Sequence, residues 1–320
     1  MILLSIAIGS VAIPLRTVLQ SLFNPGLGDA GSSTFTTIIW ELRIPRTILM
    51  VLTGAALAGS GCAYQGLFRN PLADPYLIGA ASGAGLGAVL AISVHWPVSI
   101  FGFIGVPLAA FAGAILTVLI VFGVARVGKT TPVTTLILAG VAVSSFATAL
   151  TSFLLINTSG ELRRALVWLV GGSTLSGWMP VLGAAPYIII GLATLLGMGH
   201  ALNLLQFGDE QARQLGLRVP LFRTLIILAA TLATAAAVAF TGIIGFVGLI
   251  VPHVIRNLWG SDYRRLLPLS FIGGASFLLA ADILARILLA PQELPVGIIT
   301  ALAGAPFFLL LLRKSKQAYW

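Results

Sequence analysis

Charge is what this 320-residue chain has least of. Asp, Glu, Lys and Arg together make up 8% of it, where a soluble domain carries about 25%. The shortage is uneven, with 9 acidic residues against 18 basic ones and a formal net charge of +9. A single cysteine, Cys62, lies within an apolar run, which excludes an intrachain disulfide framework and a cysteine-based metal cluster. The histidines, His95, His200 and His253, fall at the ends of different apolar runs, and no H-E-x-x-H or comparable set occurs. A membrane-embedded enzyme therefore has no candidate catalytic or metal-binding constellation. No G-x-x-x-x-G-K-[ST] loop is present, so ATP hydrolysis by that route is excluded for the chain itself.

What is there is apolar. Hydrophobic residues make up 58% of the chain and its mean hydropathy is +1.05. A hydrocarbon core of about 30 Å takes roughly 20 apolar residues per helical crossing, and backbone groups in lipid must be satisfied within the segment. The runs do not alternate, so a transmembrane β-barrel is excluded. The reading is an all-α, polytopic membrane protein of about ten helices in one domain over 1–320. Spans are expected near 47–66, 77–94, 98–124, 133–156, 180–199, 222–240, 243–259, 267–290 and 296–312. The stretch Ile2–Ile13 is too short to cross, and it lacks the basic flank and cleavage site of a signal peptide. It reads as part of a first helix whose start lies upstream.

Lys and Arg accumulate in cytoplasmic loops. With the C-terminus inside, Arg69, Arg126, Lys129, Arg213, Arg218, Arg223, Arg256, Arg264, Arg265, Arg313, Lys314 and Lys316 are internal; Arg16, Arg43, Arg46, Arg163, Arg164 and Arg286 fall at outer ends. That asymmetry predicts a cytoplasmic C-terminus, and contact with anionic lipid accounts for the basic balance without nucleic acid.

Several short stretches break the apolar pattern. In GIIGFVGLIVPHVIR (242–256), Pro252 is expected to tip or end a helix at the inner face, with His253 and Arg256 at headgroup level. GLFRNPLADPYLIG (66–79) reads as a tight inner turn, with Asn70 and Asp74 as turn formers. The tract GAASGAGLGA (79–88) reads as close helix packing. The loop 200–223 contains the most polar window, and Gly208 and Gly216 bracket a short helix over 209–215 whose Asp209 and Glu210 suit a helix start. Asp282 and Arg286 are spaced to pair on one helix face.

GFVGLIVPHVIRNLWGSDYRRLLPLS resembles the signature of the FecCD-type permeases of ABC importers for iron-siderophores, haem and cobalamin. Four further blocks agree in order: RIPRTILMVLTGAALAGSGCAYQGLFRNPLADPYLIGAASGAG (43–85), TTLILAGVAV (134–143), FGDEQARQLGL (207–217) and ELPVGIITALAGAPFFLLLL (293–312). The resemblance implies a two-fold symmetric homodimer in a bacterial inner membrane, with two ATP-binding cassette subunits on the cytoplasmic side and a periplasmic substrate-binding protein outside. It implies no cofactor on this chain, with ATP and Mg held by the partner subunit. It assigns Asp209, Glu210, Gln211, Arg213, Gln214, Leu215 and Gly216 to ATPase coupling, and Arg43, Arg46 and Arg286 to binding-protein docking. Val133, Thr134 and Thr135 fall at a cytoplasmic gate. Arg163 and Arg164, on a short outer helix within 157–173, are candidates for anionic cargo. The cargo expected first is an iron complex, haem ahead of a ferric siderophore, with cobalamin the alternative. An ion-coupled secondary transporter is the competing class, and Asp282 would be its buried acidic group.

Overall fold

A computed structural model describes residues 1–9, 13–23, 30–94, 104–126, 128, 131–158, 160–172 and 176–317. His95 and Lys129 lie outside the described residues, as do the side chains of Lys314 and Lys316. The described residues are helical with no strand. In chain order the helices are α1 Ile2–Ala7, α2 Leu15–Phe23, α3 Ala30–Thr37, α4 Ile44–Phe68, α5 Ala80–Ser93, α6 Gly105–Val124, α7 Val133–Asn157 and α8 Leu162–Leu169. They continue as α9 Trp178–Gly197, α10 Gly199–Leu205, α11 Asp209–Gln214, α12 Val219–Thr241, α13 Val247–Trp259, α14 Tyr263–Ile287 and α15 Val296–Gln317. A six-residue π-helical segment, Ile38–Arg43, joins α3 to α4.

Among the described residues, six stretches are long and apolar enough to cross a membrane: Thr34–Phe68, α6, α7, α9, α12 and α14. α4 is the hub, packed on by α9, α12, α13 and α14. Its small residues explain why. Gly54 meets the backbone of Gly274 and Gly61 that of Gly248, with no room for a Cβ at either crossing. Lipid supplies no hydrophobic force between helices, so such close contact and interhelical hydrogen bonds carry the association. Among those bonds, Ser60 Oγ donates to Ala230 O at 3.1 Å, and the hydroxyls of Tyr64 and Thr231 lie 3.2 Å apart. The tract 79–88 does pack closely, because Gly83 abuts Gly113 and Thr117 of α6.

Arg69, Arg126, Arg213, Arg218, Arg223, Arg256, Arg264, Arg265 and Arg313 mark one end of the bundle, here called the basic end. Relative to that end, two expectations need correction. Of the stretch 66–79, only Arg69–Pro71 form an exposed turn at that end, and the rest enters the bundle. Pro75 lies against Gly248 at the level of Gly61, Leu77 O lies against Gly140, and Gly79 lies against Thr117. Gly61, Thr117 and Gly140 are each seven residues from the basic-end terminus of their own helix, a depth of about 10 Å. The chain therefore turns back into the bundle after α4, and α5 starts from inside it. The reason is local: Arg69 leaves α4 in the left-handed region, and Asn70 and Asp74 accept from the amides of Leu72 and Tyr76, both at 2.9 Å, bending the segment twice.

The second correction concerns 243–259. Residues 242–246 are not helical, and α13 begins only at Val247, after Phe246 adopts φ +69°. Pro252 lies within α13 and ends nothing. Arg256 is engaged internally: Nη2 donates to Gln65 Oε1 at 2.9 Å and to the Tyr263 hydroxyl at 3.3 Å. The non-helical backbone is satisfied by neighbours. Tyr76 Oη donates to Ile244 O at 2.8 Å, and Gln65 Nε2 donates to Gly248 O at 3.2 Å and lies 3.4 Å from Ala73 O.

Candidate functional site: a polar hook, a threonine turn and an arginine cluster

At the basic end, α11 is a six-residue helix between Gly208 (φ +105°) and Gly216 (φ +88°). Glycine is needed at both positions because the left-handed backbone would strain a side chain. Glu210, Gln211, Arg213, Gln214, Leu215 and Gly216 are exposed, while Ala212 is fully buried and seats the helix. Asp209 makes no cap bond; its carboxylate pairs with Arg223 of α12 at 2.8 Å. The result is an exposed polar ridge held from below by Ala212 and the Asp209–Arg223 pair.

Val133, Thr134 and Thr135 form the first turn of α7 after Pro132, at the same end. Thr134 is exposed and Val133 half-buried. Thr135 Oγ1 lies 2.8 Å from Pro132 O and 3.1 Å from Ala125 O, which fastens the turn to the end of α6. Further along α7, Ser144, Ser145, Thr148 and Ser152 border an open groove of about 700 Å³ with Asp74 and Tyr76. The groove is not legible in the sequence, where 66–79 reads as a tight inner turn.

At the opposite end, the three docking candidates converge but differ in exposure. Arg286 is 3% exposed and Arg43 8%. Arg43 Nη1 donates to the carbonyls of Ile6 and Ala7 at 2.6 and 2.8 Å, and Arg286 Nη1 to those of Ser5 and Ile8 at 3.0 and 2.9 Å. Both guanidiniums thus cap α1 from within. Asp282, fully buried, pairs with Arg286 at 2.8 Å and Arg46 at 2.9 Å. Arg46 also reaches Glu293 at 2.6 Å, and of the three it alone presents an edge to the surface. The i,i+4 pair was legible in the sequence; Glu293, 247 positions from Arg46, was not. These side chains border a pocket of about 530 Å³ with Gly172 and Pro295. Arg163 and Arg164 lie exposed on α8, with Arg164 3.7 Å from Glu161. Among the described residues no group of His, Cys, Asp and Glu is placed to hold a metal ion.

Comparison with known proteins agrees with this architecture along its length. A cobalamin import system permease protein of Halobacterium salinarum is 48% identical over 280 residues, covering 88% of this chain and 74% of that one. The hemin transport system permease protein of Yersinia pestis is 39% identical over 322 residues, covering 99% and 94%. A solved metal-chelate type ABC transporter in an inward-facing conformation superposes with a TM-score of 0.78 at 33% identity, covering 98% of each chain. The FecCD transport family model matches residues 1–314, and the chain belongs to that family of ABC transporter permeases.

Proposed function

We propose that the chain is the membrane subunit of a binding-protein-dependent importer that carries a metal chelate across a bacterial inner membrane and draws its energy from a separate ATPase. The observation that carries this reading is the family match over 1–314. In it, two copies of the chain form the permease, the basic end with the C-terminus faces the cytoplasm, and α11 enters a cleft in the ATP-binding cassette subunit. ATP and Mg belong to that subunit. The groove along α7 is the route, with Val133–Thr135 as its gate. A substrate-binding protein docks at the opposite end on Arg46, while Arg43 and Arg286 hold the ground beneath it. Asp282, engaged by Arg46 and Arg286, offers an ion-coupled carrier no free carboxylate.

For cargo, an iron complex with haem first is the reading kept from the sequence, with Arg163 and Arg164 available to carboxylate groups. The 48% identity to a cobalamin permease favours a corrinoid as the second reading. Both are metal-bearing macrocycles with polar side groups that the hydroxyls along the groove can meet. The test is uptake of haem, a ferric siderophore and cobalamin, followed by visible absorbance, in liposomes holding the permease with its own ATPase and binding protein. ATP-dependent uptake of one chelate is expected, together with a permease that is dimeric and inactive toward ATP when alone. Hydrolysis by the permease alone, or uptake driven by an ion gradient without ATP, overturns the assignment. In the same liposomes, Gln211→Ala/Arg213→Ala should lower transport per ATP hydrolysed; an unchanged ratio makes α11 a tether.

A further inference from the structure

Three parts of the basic end, distant in sequence, share one side chain. Arg223, in the second turn of α12, is 7% exposed. Its Nη2 donates to both carboxylate oxygens of Asp209, the first residue of α11, at 2.8 Å each. Its Nη1 donates to the carbonyl of Thr131 at 2.9 Å, two residues ahead of α7. Nε is buried without a hydrogen-bond partner among the described residues, so the two Nη groups set the orientation of the plane. A guanidinium holds two partners in fixed directions, which an ammonium on a flexible stem does not.

The elements it joins have little else to hold them in register. α11 is too short to be stable alone and packs otherwise on α10 and α12. Thr131 precedes Pro132, whose backbone (φ −61°, ψ 142°) is extended and whose carbonyl receives the amide of Leu136 at 3.1 Å. The same turn is fastened to the end of α6 through Thr135. A displacement at Asp209 therefore has a direct polar route to the start of α7, through one planar group rooted in α12.

We propose that Arg223 is a positioning residue that makes α11 and the first turn of α7 move as one body, so that force received by the hook reaches Val133–Thr135. The inference rests on the importer reading, in which α11 meets the ATPase and that turn gates the route. Its test uses the assembled importer in liposomes, with Arg223→Lys and the near-isosteric Asp209→Asn, and reads two quantities.

The first is amide hydrogen exchange. In Arg223→Lys, protection at Ala212 in α11, at Leu215 just after it and at Leu136 in α7 should fall together by about tenfold, the loss of one charge-assisted hydrogen bond. The second is transport per ATP hydrolysed, which should fall in both single variants while the ATPase subunit still binds Arg223→Lys. The double variant should be no worse than either single one, because both break one joint. Loosening of α11 without Leu136, or a transport ratio equal to the parent in both single variants, overturns the proposal. If the parent itself imports none of the chelates, the importer reading fails, and the exchange data alone then decide whether the joint exists.

Discussion

Asp282 stands at the centre of the arginine cluster. It is fully buried and faces two guanidiniums, while Arg286 spends its remaining donors on the carbonyls of α1. Removing one member of a buried pair leaves the other charged and unpaired, at a cost of about 3–5 kcal/mol, whereas replacing both with apolar groups is often far milder. Asp282→Asn should therefore lower the thermal midpoint of the purified permease sharply, and Asp282→Leu/Arg286→Met should recover part of the loss, since Arg46 keeps Glu293 while the carbonyls of α1 lose a donor. Equal losses in the two would show that charge balance is not what holds this end. The i,i+4 spacing made the Asp282–Arg286 pair readable from sequence. Arg223 was counted only as one more basic residue of an inner loop. Nothing local ties it to Asp209, 14 positions earlier, or to Thr131, 92 positions earlier; only the packing of three helix ends does.

Among the elements, the long apolar helices were legible, because composition and length suffice to identify α4, α6, α7, α9, α12 and α14. The half-length pieces were not. Residues 70–79 and 242–246 have the composition of a turn and of a span, and they differ from those only through partners such as Tyr76 and Gln65. The start of α14 was not legible either, since the span was expected from 267: Asp262 caps it, its Oδ1 accepting from Arg264 N at 3.0 Å and from Asn203 Nδ2 at 2.6 Å. The Asn203 amide first, then the Arg264 backbone amide, holds the Asp262 carboxyl below its ordinary value of 3.8. A carboxyl depressed by folding adds stability that is full above the unfolded value and fades as pH falls through the lower folded one. Asp262→Asn keeps a capping side chain but removes the charge. Its midpoint should fall below the parent's at neutral pH, and the gap should close under acid. A constant gap from neutral pH down to pH 2 would mean that the charge is not the source.

At the scale of the whole molecule, burial is shared unequally. The apolar window of Thr34–Phe68 is 83% buried and that of α12 78%, against 22% for α7. α4 and α12 thus form the fixed interior, and α7 stands at the edge with the open groove beside it. The inward turn after α4 has a consequence for how such a chain is made. α5 has 14 residues, a rise of about 21 Å, and so does not cross a hydrocarbon core of about 30 Å by itself. The segment leading into it is closed by Ile244, which receives the Tyr76 hydroxyl from 168 positions earlier, and by Gly248, which receives the Gln65 amide from 183 positions earlier. A ribosome that has released the chain only as far as Thr241 has therefore delivered a wall with a gap in it. With Cys62 replaced by Ala, Ala73→Cys should react with a membrane-impermeant thiol reagent in chains ending at Thr241 and be shielded in full-length ones. Shielding in both would mean that α4 and its early neighbours seal the gap unaided. Otherwise insertion and folding overlap in time, and the first third of the protein waits, open to water, for the last.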